Sequence, residues 1–224
     1  MGRLFFIRRI MDQDFFENFN GEMLVSEIDI SELINGIEAY VSGFRYQYKT
    51  SDTSLPEITI EVSNGNIPHL LGLSNSHHKG LPTYNPSVIF EGLKNDWSLE
   101  NLKKGDEKWY QENQDKVIGV TFLYQIFHII DCEVYTTKYM KNRNVGSRVK
   151  RDNIYFIIFK SETGKNFSVE LSPLNGSNNS FFPRSLKIND SLQKYYHPIH
   201  IEFINKSRIK TKKTRIKKVS WENN

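Results

Sequence analysis

Apolar and polar residues alternate from Phe44 to Lys49, placing Phe44, Tyr46 and Tyr48 on one side, and the alternation returns at Ile58, Ile60 and Val62. Between the two runs, Ser51-Asp52-Thr53-Ser54 is turn chemistry, so the pattern predicts a hairpin or strand pair. Ahead of it, Leu33, Ile34, Ile37, Tyr40 and Val41 share one face at helical spacing. This predicts a helix capped by Ser31, running to about Ser42 and ended by Gly43. Phe15, Phe16 and Phe19 carry the same spacing over a shorter stretch. Beyond the hairpin, Asn85-Pro86 restarts a helix and Ser98 caps a short one ending at Gly105. A long helix is then expected from Asp106 to Ile130, with Trp109, Val117, Val120, Leu123, Phe127 and Ile130 as its core stripe.

The period changes again in the last third. Ile154 to Phe159 and Phe167 to Leu171 read as strands joined by the turn Ser161-Glu162-Thr163-Gly164. A polar loop leads to Phe181-Phe182, Asp190 to Tyr196 reads as a helical turn, and Pro198 opens a last strand over Ile199 to Phe203. Residues 131–146 lose periodicity. The expected class is α+β: N-terminal helices and a hairpin, a helical middle, and a C-terminal antiparallel sheet of about four strands.

Composition narrows this picture in two ways. One cysteine, Cys132, excludes an internal disulfide and fits a reducing compartment. No apolar run reaches membrane-span length and the arginine-interrupted start is no secretory signal, so a cytoplasmic location without a membrane partner is expected. The net charge of +4 conceals its distribution, since eight lysines and arginines stand between Lys206 and Lys218 with no acidic residue. Lys206, Arg208, Lys210, Lys212, Lys213, Arg215, Lys217 and Lys218 read either as nucleic-acid contacts or as a solvated tail. The expected organisation is an extension over 1–30, one domain over 31–205 and a basic tail over 206–224.

The unusual chemistry lies between Asn66 and Gly80, which hold three of the six histidines. Pro68 suits the first turn of a helix, which would set His69 at its exposed N-terminal end, where free N–H groups favour anions. His77, His78 and Lys79 follow in a loop that also carries Tyr84 and extends to Pro86. Either these residues meet a phosphate, or His69 is a satisfied boundary histidine and the other two are solvated. No cysteine pair or acidic residue stands at ligand spacing, so no metal is expected.

Phosphate-cradling, dinucleotide and nucleophile-elbow signatures are missing. The remaining histidine, lysine, arginine, serine and tyrosine suit RNA cleavage without a metal or other cofactor. In that reaction the ribose 2′-OH attacks its own phosphate, and the protein supplies a base, an acid and cations. Arg148 and Lys150, in Ser147-Arg148-Val149-Lys150-Arg151, fall on one face by alternation. Ser180-Phe181-Phe182-Pro183-Arg184-Ser185 adds hydroxyls and a guanidinium able to bind phosphate bidentately.

Pro68-His69-Leu70-Leu71-Gly72-Leu73, followed by Ser147-Arg148-Val149-Lys150, the Ser-Phe-Phe segment at Ser180, and Lys194-Tyr195-Tyr196, resembles a known family over about residues 31 to 204. It is similar to the phage Barnase–EndoU–Colicin–RelE-like nucleases of the His-Leu-x-Gly-Leu subgroup. The resemblance implies an RNA-cleaving fold of N-terminal helices on a four-stranded antiparallel sheet. It also implies a toxin or effector role in phage or mobile-element conflict. It puts His69 in the active site, with Lys150 and a hydroxyl from Ser180 to Ser185 as partners. The expected reaction is metal-independent cleavage of tRNA or mRNA to 2′,3′-cyclic phosphate ends. His69 then transfers the proton, Lys150 with Arg148 or Arg184 steadies the phosphorane, Ser185 or Ser180 orients the phosphate, and Tyr84 stacks on a base. A neutralising antitoxin or immunity partner fits such a role. The alternative is a non-catalytic nucleic-acid-binding module or a subunit of an anti-phage complex.

Overall fold

The computed structural model describes residues 10–130, 132–136, 155–174, 177–190, 197–210, 219 and 221. Its helices are α1 (Gln13–Asn18), α2 (Ile30–Tyr40), α3 (Asn66–Leu70), α4 (Pro86–Asn95), α5 (Leu99–Gly105), α6 (Glu107–Thr121) and α7 (Leu123–His128). Its strands are β1 (Phe44–Thr50), β2 (Glu57–Val62), β3 (Cys132–Thr136), β4 (Tyr155–Lys160), β5 (Asn166–Pro173), β6 (Ser180–Ile188), β7 (His197–Ile199) and β8 (Ile201–Arg208). Short polar side chains start most of the helices by accepting otherwise orphaned N–H groups. Asn85 accepts from Ser87 and Val88 ahead of α4, Ser98 from Asn101 ahead of α5, and Asp106 from Trp109 ahead of α6. For α2 the cap is Asp29, which accepts from Ser31 and Glu32, so the helix begins before Ser31. The helical turn expected after Asp190 lies almost wholly outside the described residues.

All eight described strands share one sheet, ordered β7-β3-β4-β5-β6-β2-β1-β8. This overturns the expected four-stranded C-terminal antiparallel sheet: the class is α+β, with a mixed sheet curled into a half-barrel. The N-terminal hairpin is not a separate layer. β2 lies parallel to β6, Thr59 opposite Ser180 and Ile60 opposite Phe181, and so joins the hairpin to the C-terminal strands. Alternation reveals that a strand exists but not which strand it pairs with, and a parallel contact this short leaves no pattern of its own. Two further strands were hidden. β3 buries only Val134 and Thr136 fully, too few for a visible period, and β6 runs over Ser180–Ile188, where the pattern predicts no strand.

The two ends of the sheet are joined by one residue, His200, between β7 and β8. Eight strands laid flat span roughly 34 Å between their outer members. A single residue bridges only about 3.5 Å, so the sheet must bend until its ends meet. Ser51 at the end of β1 holds this seam: its N–H donates to the His200 carbonyl at 2.8 Å, and its Oγ accepts the His200 N–H at 3.0 Å.

The buried face of the sheet receives α6 and α7. An added Cβ at Gly119 would stand 2.7 Å from both Leu186 and Phe167, so only glycine lets α6 lie this close to β5 and β6. The expected long helix divides at Phe122, whose ring packs 4.9 Å from Phe19, 4.6 Å from Phe159 and 5.0 Å from Phe167. Tyr48, fully buried, satisfies its hydroxyl by donating to the Phe127 carbonyl at 2.6 Å. The same core holds Phe16 and Phe19 from the N-terminal segment. Among the described residues no helix is long and apolar enough to cross a membrane.

Candidate functional site

α7 ends at His128 because Ile129 turns left-handed, with φ 56° and ψ 38°. The His128 Nδ1 lies 2.8 Å from the Tyr124 carbonyl. A carbonyl only accepts, so Nδ1 carries the proton and Nε2 of the neutral ring keeps a free lone pair. The imidazole stacks on Tyr124 at 4.0 Å and 22°, with Tyr46 at 5.5 Å and Phe203 at 5.3 Å. Burial among these rings lowers its pKa below the ordinary histidine value, and the charge of Lys206 lowers it further, against the opposing carbonyl bond and Glu17. His128 is therefore a base in its neutral form at neutral pH.

Lys206 on β8 lies within electrostatic reach of it, and Arg208 is the neighbour of Lys206. Lys206 and Arg208 pair opposite Tyr46 and Phe44 of β1, which turns them toward the ends of α2 and α7. The Lys206 ammonium sits 4.6 Å from the Phe44 ring centre and 5.4 Å from that of Tyr124, and donates to the Tyr40 carbonyl at 3.3 Å. The Arg208 guanidinium lies 3.9 Å over Phe44 and donates to the Ala39 carbonyl at 3.4 Å. Both carbonyls end α2, so the cations also complement the negative end of that helix. Among the described residues neither cation is paired with a carboxylate, which leaves the other N–H groups of each free. Burial, then the neighbouring Arg208, hold the Lys206 pKa below its usual value.

α1 completes the group. The Tyr124 hydroxyl donates to Glu17 Oε1 at 2.7 Å, and Gln13 Nε2 donates to the same oxygen at 2.7 Å. These two bonds keep the Glu17 carboxyl below its usual range, while burial and Glu17 push Tyr124 up to about 12. A base with an open nitrogen, two partly free cations and a fixed hydroxyl–carboxylate pair thus meet from α1, α7 and β8. Such an arrangement can accept a proton and neutralise a developing anion.

The residues singled out from sequence are distributed differently. α3 is a single turn with Pro68 at its third position, so His69 is exposed in its last turn rather than at an N-terminal anion site. α3 packs against β6, but no hydrogen bond or ion pair joins His69 to Ser180, Arg184 or Ser185. Arg184 lies 3.9 Å from Glu170, whose other oxygen accepts from Ser185 at 3.3 Å and from Lys187 at 3.0 Å. His78 is fully buried, not solvated. Its Nε2 donates to the Leu102 carbonyl at 3.0 Å and its Nδ1 accepts from the Gly80 N–H at 3.2 Å, with Trp109 at 5.2 Å. His77 is exposed, with Nδ1 2.8 Å from both Ser74 and Ser76. Lys79 donates to the Asn75 carbonyl at 2.7 Å, and the Tyr84 hydroxyl to the Lys79 carbonyl at 2.9 Å. Arg148, Lys150, Lys212, Lys213, Arg215, Lys217 and Lys218 lie outside the described residues; Lys210 is exposed just past β8.

Sequence reasoning finds Lys206 and Arg208 but misses Glu17, Tyr124 and His128. The only available signal is that Tyr124 and His128 stand one turn apart at the end of an expected helix, a spacing equally suited to core packing. No family model matches the chain, and neither the curated proteins nor the solved structures yield a match.

Proposed function

We propose that this protein is a metal-independent endoribonuclease working from the His128 cluster. The observation that supports it is the open Nε2 of a tautomer-fixed histidine beside Lys206, with Arg208 next to that lysine and neither cation, among the described residues, in an ion pair with a carboxylate. In this reading His128 Nε2 takes the ribose 2′-OH proton as the 2′-oxygen bonds to phosphorus. Lys206 and Arg208 bear the phosphorane charge, and the Lys206 ammonium gives a proton to the departing 5′-oxygen as its bond to phosphorus breaks. Tyr124 and Glu17 fix the ring stack on which His128 rests. The phage or mobile-element setting, as a toxin or effector acting in the cytoplasm, is supported only by the motif resemblance.

A second reading is favoured by Glu170. Because it engages Arg184 and Ser185, two of the three phosphate ligands expected on β6 are already held by a carboxylate, as in a binding module without chemistry. The deciding experiment is incubation of the purified protein with labelled tRNA and mRNA in excess chelator. Products ending in 2′,3′-cyclic phosphate that disappear with His128→Ala support the nuclease. Retained RNA binding with no cleavage by the unaltered protein selects the binding module.

A further inference from the structure

A cavity of about 780 Å³ opens where the N-terminal ends of α2 and α5 meet the chain leading into α1 and α2. Local chemistry shapes it. Val25 and Ile28 are buried and pin the single 3-10 turn Val25–Glu27 to the core, which leaves Glu27 exposed. Ser98 caps α5 and so starts that helix with Leu99 and Glu100, both of which line the cavity beside Trp97. Trp97 is held in place. Its Nε1 donates to the Val219 carbonyl at 3.2 Å, and Gly92 leaves room for its ring where a Cβ would collide.

The floor is apolar and the rim is acidic. Met11, Met23, Ile28, Trp97 and Leu99 supply the floor, and Glu22, Glu27 and Glu100 are exposed around it. Among the described residues no lysine, arginine or histidine lines the cavity. Glu27 accepts the Leu24 N–H at 2.8 Å, a bond that fixes the carboxylate without neutralising it. Lys104 meets Glu100 at 4.0 Å with both side chains mostly exposed, a contact of little weight. The positive ends of α2 and α5 together offset about one unit of charge, against three exposed carboxylates, so the rim stays negative. The apolar surface also continues past the cavity. Ile10 and Leu24, chain neighbours of Met11 and Met23, are 75% and 68% exposed, more than any other large apolar side chain described. An apolar floor with a charged rim and apolar residues beyond it is the anatomy of a partner surface.

We infer that this groove docks a basic amphipathic segment of a partner protein, its apolar side chains on the floor and its lysines or arginines against Glu22, Glu27 and Glu100. Charge complementarity selects that partner. A neutral apolar segment would desolvate the carboxylates without supplying cations, and a polyanion such as RNA would be repelled. The groove adjoins the N-terminal end of α2, whereas Lys206 and Arg208 meet its C-terminal carbonyls. Eleven helical residues, roughly 16 Å, separate the two ends, so the groove is distinct from the His128 cluster. The inference does not rest on the nuclease reading.

The test follows the methionine methyl signals of the full chain by NMR while a synthetic helical peptide of leucine and lysine is added. Met11 and Met23 line the groove, so saturable shifts of those two signals support docking there. The same peptide with glutamate in place of lysine should leave them unmoved. Joint Glu22→Gln, Glu27→Gln and Glu100→Gln keeps the side-chain shapes and should weaken binding about 3- to 100-fold, as loss of three exposed ion pairs does. Equal shifts with the glutamate peptide, with polylysine or in the triple variant overturn the inference, as does an absence of saturable shifts in the full chain. Residues 1–9 are themselves apolar and basic. Shifts that appear only once Phe5 and Phe6 are replaced by serine would assign the groove to that segment, and this outcome overturns the inference too.

Discussion

His78 and His128 sit in similar surroundings and differ in one nitrogen. Each imidazole is withdrawn from water, packed on aromatic rings and bonded to a backbone carbonyl. The second nitrogen of His78 accepts the Gly80 N–H, whereas that of His128 has no partner among the described residues and the ring lies within electrostatic reach of Lys206. Aromatic packing and a lowered pKa thus do not separate a structural histidine from a chemical one. The use of the last ring nitrogen does.

The comparison is tested most severely by removing each ring. His128→Ala should leave a folded protein whose RNA cleavage falls by about 10²–10⁴-fold, the usual contribution of a proton-transfer group. His78→Ala should act the other way. It leaves the Leu102 carbonyl and Gly80 N–H without partners and opens a cavity beside Trp109, so denaturant unfolding should show a loss of about 2–4 kcal/mol. Cleavage per folded molecule should hold. Reversal of these two outcomes would exchange the roles assigned to the histidines.

The pH dependence is smaller but separates the two sites cleanly. The folded-state pKa of His78 is depressed by burial, so its contribution is fully present above the unfolded value of 6.5. It is lost as the pH falls from there toward the lowered folded value, because the unfolded chain takes up the proton first. For one group the slope is at most about 1.4 kcal/mol per pH unit. Urea unfolding of the unaltered protein and His78→Ala across this window should differ by that component. The depressed pKa of His128 should place the acid limb of the cleavage profile below 6.5 rather than at it. The smallest effect is expected from Tyr124→Phe, which removes one hydrogen bond to Glu17 but keeps the stack on His128. Stability should fall by about 1 kcal/mol with little change in cleavage, read by the same unfolding and cleavage assays.

Much of the secondary structure was legible because it obeys local rules. Phe44, Tyr46 and Tyr48 alternate and are inward, and Asn85, Ser98 and Asp106 start the helices their side chains suit. What escaped was non-local. Nothing in Thr59 or Ile60 announces a parallel neighbour more than a hundred residues later, and Cys132–Thr136 is too short to show a period. The site escaped for the same reason. Lys206 was visible as one charge in a run, but its meeting with His128 depends on β8 pairing with β1. His69 stood out through its motif.

The seam at His200 carries a consequence for how the chain reaches its native state. Ser51 and His200, which it joins, are separated by 149 positions. β1 acquires its outer partner only when β8 arrives, so during synthesis its free edge waits until β8 has emerged. Sheets completed by such distant pairings form slowly, and an open edge in the interval invites pairing with other chains. β8 both shields that edge and brings Lys206, with Arg208 beside it, to His128. A nascent chain is therefore without the assembled cluster until its sheet is closed.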